Sequence, residues 1–217
     1  MNLSRKKYST VICGRPSTAS FGTGTAQRVA AFLILSVFAH FAWGQDPRVE
    51  IKTTMGSFVV ELYPGRAPKT VANFLRYAQD GFYKGTVFHR VIDGFMIQGG
   101  GFDPEMRQKA TRPPIENEAG IAMKAGLKNE IGTIAMARTP NPHSATAQFF
   151  INVKDNEFLD YRESSPQGYG YAVFGRVVEG MDIVMRISKV PTATVGPHQN
   201  VPQRAVMIES VAVKPAK

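Results

Sequence analysis

The densest concentration of chemically useful side chains is the run Phe88-His89-Arg90-Val91-Ile92-Asp93-Gly94-Phe95-Met96-Ile97-Gln98-Gly99-Gly100. An arginine stays charged at any physiological pH and presents five N–H donors in a rigid fork. Such a group donates hydrogen bonds and does not exchange protons. In a strand, residues i and i+2 share a face. Phe88, Arg90 and Ile92 therefore share one side, and His89 and Val91 the other. After the Asp93-Gly94 turn, Met96 and Gln98 share a face, as do Phe95 and Ile97. Folding the two halves together brings Arg90, Phe95, Met96 and Gln98 to one patch, a fixed cation beside apolar surface.

Other chemistries fit poorly. A serine hydrolase needs a nucleophile, a base and an orienting acid. Ser144, His89 and Asp93 supply the types, but the chain has no Gly-x-Ser-x-Gly elbow. After residue 44 the only histidines are His89, His143 and His198, without metal-ligand spacing, so no metal or other cofactor is expected. Gly99-Gly100-Gly101 opens no helix and precedes no lysine, so it is not a phosphate loop; glycine there permits close backbone approach or a positive φ. The sole cysteine, Cys13, lies before residue 45, which leaves no thiol chemistry or disulfide in the remainder.

The elements that must hold the patch are mostly short strands. Val49, Ile51 and Thr53 alternate with polar residues, and Phe58, Val60 and Leu62 continue the pattern after Thr54-Met55-Gly56, which predicts a hairpin. A helix starts near Pro68, with Val71, Phe74, Leu75 and Ala78 on one face, and stops at Asp80-Gly81. Strands are predicted over 87–92, 95–98, 133–136, 148–153, 172–178 and 205–213, and a second helix over 181–188. Residues 102–130, 160–170 and 191–203 read as long loops. Many short strands without βαβ alternation predict an antiparallel barrel or sandwich.

The 217 residues carry 26 basic and 17 acidic side chains, a net charge of +9. Five of the basic residues, Arg5, Lys6, Lys7, Arg15 and Arg28, precede residue 45, which has no acid before it; the 21 that remain against 17 acids leave +4. No basic stripe interleaved with aromatics follows, so nucleic-acid binding is not expected. Residues 29–42 form an apolar run after that basic stretch, closed by Ala42-Trp43-Gly44. The pattern predicts a signal peptide over 1–44, with a long basic region, cleaved after Gly44, the alternative being an uncleaved N-terminal anchor. The run is shorter than the ~20 residues that span a bilayer. The expected product is a single domain, 45–217, in the bacterial periplasm, with no stable membrane insertion.

The run from Phe88 to Gly100 is accompanied, in order, by Ala135-Met136-Ala137-Arg138, Gln148-Phe149-Phe150-Ile151-Asn152, Phe158-Leu159-Asp160 and Val173-Phe174-Gly175-Arg176-Val177. Together these resemble the cyclophilin family of peptidyl-prolyl cis-trans isomerases over residues 48–213, and within it the bacterial periplasmic isomerase A type. The resemblance implies a mainly β fold, a closed eight-stranded antiparallel barrel capped by two helices, with an external groove. It implies a proline pocket of Phe95, Met96, Phe150 and Leu159. Arg90 and Gln98 would hydrogen-bond the peptide, with Arg90 catalytic. Ala137 and Arg138 would offer backbone contacts, Gln148 would line the next subsite, and Phe158 and Tyr171 would close the rim. Phe88, Phe149 and Phe174 would be core. Partners would be proline-containing unfolded or flexible polypeptides met by a monomer; a proline-binding chaperone with incidental turnover is the alternative reading. Phe158 stands where eukaryotic members often have tryptophan, which removes an N–H donor and argues against strong cyclosporin binding. Tyr171 replaces their rim histidine, and residues 102–130 replace their glycine-rich loop.

The implied reaction agrees with elementary chemistry. Rotation about an X–Pro bond faces a barrier of about 20 kcal/mol from amide resonance and takes tens of seconds. At the twisted geometry the prolyl nitrogen regains a lone pair and accepts a hydrogen bond. A guanidinium beside it binds that state better than either planar isomer, which is what accelerates a step.

Overall fold

The computed structural model describes residues 46–215; the proposed leader and its cleavage position lie outside them. The described chain is mainly β. It opens with the expected hairpin, β1 (Arg48–Thr53) and β2 (Gly56–Leu62), paired so that Val49, Ile51 and Thr53 are buried. Helix α1 (Pro68–Gln79) follows. The strands β3 (Arg90–Ile92), β4 (Met96–Gly99), β5 (Thr133–Met136), β6 (Phe149–Asn152), β7 (Val173–Glu179) and β10 (Ile208–Val213) complete the main sheet, in the order β10-β1-β2-β7-β5-β6-β4-β3. Helix α3 (Met181–Ser188) leads from β7 into the hairpin β8 (Thr192–Val195) and β9 (His198–Pro202).

Helix α1 forms because its apolar residues recur on one face: Val71, Phe74, Tyr77 and Ala78 are buried. Its first turn has no acid of its own. The buried Glu118 carboxylate supplies one from far along the chain, accepting hydrogen bonds from Lys69 N, Thr70 N and Thr70 Oγ1. A carboxylate there satisfies otherwise orphaned N–H groups and complements the helix dipole. The helix seats an aromatic core: the Phe74 ring centroid lies 5.2 Å from Tyr83, 5.6 Å from Phe149 and 5.3 Å from Phe174.

Four features depart from the sequence reading. The eight strands make a strongly curled antiparallel sheet and not a barrel with a continuous closing ladder. The segments that precede its edge strands β3 and β10 meet at one bridge, Val87 to Met207, flanked by Phe88 N to Val206 O and Ile208 N to Thr86 O. A strand as short as β3 leaves nothing longer to pair. There are three α-helices among the described residues rather than two. The stretch read as a loop over 102–130 contains α2 (Ala119–Lys124), started by Asn117 Oδ1 accepting from Ala119 N. The segment read as a loop over 191–203 folds into the β8–β9 hairpin. Finally, Phe88 does not share a side with Arg90. It packs in the core with Val91 and lies 6.0 Å from the Phe149 ring, because the chain pairs irregularly through residues 87–89 before β3 begins.

Candidate active site

Pairing register builds the site. Across β3–β4, Arg90 stands opposite Gln98 and Ile92 opposite Met96. Across β4–β6, Gln98 faces Phe150; across β6–β5, Phe150 faces Ala135. Arg90, Gln98, Phe150 and Ala135 thus form one row on the outer face of four consecutive strands. Their immediate neighbours Val91, Ile97, Ile151 and Ile134 form the opposite row and disappear into the main core. The two-residue period of a strand sorts one sequence into a core face and a working face.

The outer face carries its own apolar cluster, in which Met96, Ala135, Phe150, Leu159 and Val173 are buried, with Ile92, Phe95, Leu127, Ala137 and Tyr171 half-covered around them. Above it lies a groove of ≈ 140 Å³ lined by Arg90, Phe95, Met96, Gln98, Ala137, Arg138, Phe150, Leu159 and Tyr171. Nine of the eleven residues singled out from sequence therefore line one cleft. The other two flank it. Gln148 accepts a 3.0 Å hydrogen bond from Gln98 Nε2, which fixes that side-chain amide at the groove wall. Phe158, 64% exposed, stacks on Phe95 with centroids 5.6 Å apart and extends the apolar rim.

Two cations border the groove. The Arg90 guanidinium carbon is 5.9 Å from the centre of the Phe95 ring, at the outer limit of cation–π attraction. The Arg138 carbon is 4.7 Å from the Tyr171 ring, whose own edge meets Phe150 at 5.5 Å. Arg138 also donates from Nε to Gly170 O at 2.9 Å and from Nη1 to Thr139 O at 2.9 Å. Sequence reasoning assigned Arg138 backbone contacts; its side chain is itself part of the wall.

Beneath the groove runs a buried polar frame that sequence reasoning passed over. Asn156 Nδ2 donates to Phe95 O and to Asn152 Oδ1, and Asn152 Nδ2 donates to Thr133 Oγ1. Asn129 donates from its backbone and side-chain nitrogens to Asp160 Oδ1. Tyr171 N donates to Leu159 O. Satisfied buried networks rigidify what they touch, and this one holds the backbones of Phe95, Leu159 and Tyr171. The available signal was Asn152 closing an otherwise apolar strand and Asn156 four residues on.

His89 is 6% exposed, and burial pushes its pKa down to about 4, so the ring is neutral near pH 7. Its Nδ1 has no hydrogen-bond partner among the described residues, and its ring packs 4.6 Å from that of Phe102. Ser144 Oγ is bonded to Thr139 and Asn141, and Asp93 pairs with Lys189, so neither serves His89. The glycine run behaves as read. Gly100 has φ +81, and a side chain there would press on Phe149 and Tyr83 at 2.9 Å; a Cβ on Gly101 would lie 2.4 Å from Gln148 Cγ. The close approach at Gly101 leaves room for the Gln148 side chain.

The profile of the family described as cyclophilin type peptidyl-prolyl cis-trans isomerase/CLD matches residues 48–213, nearly the whole described chain. This protein is a cyclophilin. Peptidyl-prolyl cis-trans isomerase B of Escherichia coli (strain K12) is 58% identical over 165 residues, covering 76% of this chain and 98% of that protein. Peptidyl-prolyl cis-trans isomerase A of Dickeya dadantii is 49% identical over 186 residues, 85% of this chain and 94% of the relative. Among solved structures, a cyclophilin type isomerase of Cryptosporidium parvum, crystallised in the presence of the dipeptide Ala-Pro, superposes with a TM-score of 0.65 at 26% identity over 78% of this chain and 99% of its own. The activity of this cyclophilin is peptidyl-prolyl cis-trans isomerisation.

Proposed function

We propose that the groove binds an extended X–Pro segment with the proline ring on Phe95, Met96, Phe150 and Leu159, and that Arg90 is the catalytic residue. One observation carries this reading: a guanidinium stands at the edge of an apolar cleft, directly across the ladder from the tethered amide of Gln98. The apolar floor grips the ring, and Gln98 orients the peptide. As the amide twists, Arg90 donates to the prolyl nitrogen, a contact that neither planar isomer offers. The step transfers no proton and breaks no covalent bond, so a buried neutral His89 needs no part in it. Crystallisation of the Cryptosporidium parvum relative with Ala-Pro supports a proline-peptide ligand.

Arg90→Ala lowers kcat/KM on a short X–Pro peptide about 10²- to 10³-fold, the scale of losing one transition-state donor, while the circular dichroism spectrum is retained. NMR exchange spectroscopy measures it, and unchanged turnover would overturn the assignment. We further propose that residues 1–44 direct export to the periplasm, where the enzyme assists folding of exported polypeptides. The protein recovered from that compartment then begins at Gln45 on N-terminal sequencing; recovery with the leader intact would refute cleavage.

A further inference from the structure

Both charged side chains that line the groove are cations, Arg90 and Arg138, and no carboxylate lines it. They stand at opposite ends of the four-strand floor: Arg90 begins β3, and Arg138 follows the end of β5 by two residues. Neither guanidinium is in an ion pair among the described residues. Arg138 donates only to neutral carbonyls: Gly170 O, Thr139 O and, at 3.4 Å, Pro140 O. Two acids close to Arg138 in the fold are engaged elsewhere. Glu116, which shares a small crevice with Arg138, holds the Lys69 ammonium; Asp160 accepts two hydrogen bonds from Asn129. Stacking on Tyr171 and the carbonyl bonds fix the Arg138 fork at the wall, so little side-chain freedom remains to be lost when an anion arrives.

We infer that Arg138 is a specificity-determining residue that favours substrates with an acidic side chain flanking the proline. The inference rests on the reading of this groove as the X–Pro site. An aspartate or glutamate next to the ring meets an uncompensated, pre-positioned guanidinium, and the pair forms in a cleft where water is partly excluded. A lysine at the same position meets a like charge, and a glutamine, matched in shape to glutamate, falls between them.

The test uses blocked peptides Ala-X-Pro-Ala and Ala-Pro-X-Ala with X as Glu, Gln or Lys. Turnover is read by NMR exchange, so that no coupling protease imposes its own preference. Because the Glu/Lys ratio is taken within one enzyme preparation, any partial loss of folding in a variant cancels. Wild type shows a Glu/Lys ratio in kcat/KM of roughly three- to tenfold in at least one series, falling in high salt. Arg138→Lys keeps part of it, Arg138→Gln brings it to about one, and Arg138→Glu inverts it. A wild-type ratio near one in both series, with all peptides turned over, overturns the inference and leaves the isomerase reading standing. A ratio that Arg138→Gln leaves unchanged overturns it as well, since the selectivity would then come from Arg90 or from overall charge. Failure of wild type to turn over any of the six peptides defeats the isomerase reading and this inference with it.

Discussion

Phe149 and Phe150 are adjacent on one strand, are chemically identical and are almost equally buried, at 0% and 4% exposure, yet they belong to different structures. Phe149 sits among Phe74, Tyr83 and Phe88 in the main core. Phe150 lies in the smaller outer cluster with Met96 and Leu159, and borders the groove. The residues of the main core are almost fully buried. The outer cluster is half-covered, because Phe95, Ala137 and Tyr171 surround it without roofing it. Burial alone does not separate scaffold from site. What separates them is whether the covering atoms are all the protein's own.

The sharpest way to break that contrast is to truncate each ring in turn. Phe149→Ala lowers unfolding free energy by about 3–5 kcal/mol, because no solvent or ligand can refill a cavity under α1. The fraction that stays folded keeps kcat/KM within a few-fold of wild type. Phe150→Ala costs less stability and more than tenfold in kcat/KM, since the ring platform itself is lost. Urea titration and peptide turnover on the same preparations separate the two. If both variants lose stability and turnover in the same proportion, the division into sealed core and open cluster fails.

A smaller effect comes from the buried imidazole on the chain between them. His89 titrates near pH 4 when folded and near 6.5 when unfolded. Between those values only the unfolded chain binds the proton. Stability from this residue is therefore complete above pH 6.5, declines as pH falls, and is exhausted near pH 4, a total of about 3 kcal/mol. In His89→Gln that part of the slope between pH 7 and 4.5 flattens, measured as the urea midpoint at each pH. A slope identical to wild type would show that the ring is not desolvated. Turnover, which asks nothing of this proton, follows only the folded fraction.

Much of this contrast was legible in the sequence. The alternation through β1 and β2, the helix face of α1 and the meeting of Arg90 with Met96 and Gln98 at one patch follow from periods of 2 and 3.6, because each element buries a single face. The assignment of Phe95, Met96, Phe150 and Leu159 to one cluster came from resemblance, since Phe150 and Leu159 are remote from the hairpin in sequence. Phe88 escaped the alternation because its backbone bridges toward β10 before the ladder with β4 begins. The β8–β9 hairpin was invisible because only Val201 and Pro202, adjacent at its end, are buried, so no alternating buried face leaves a period. Helix α2, six residues long, is too short to show one. The side-chain role of Arg138 depends on the positions of Tyr171 and Gly170, which only the folded chain reveals.

The Glu118 carboxylate at the head of α1 has a consequence for synthesis. It reaches Lys69 and Thr70 from 49 and 48 residues downstream. Whether the chain emerges N-terminus first from a ribosome or across a membrane, the first turn of that helix is out before its anion; at about 5–20 residues per second, the rate of synthesis, the gap is roughly 2–10 seconds. During that interval the nascent helix and its aromatic face lack both their cap and the strands they pack against. The head of the first helix thus depends on a contact that vectorial synthesis delivers late.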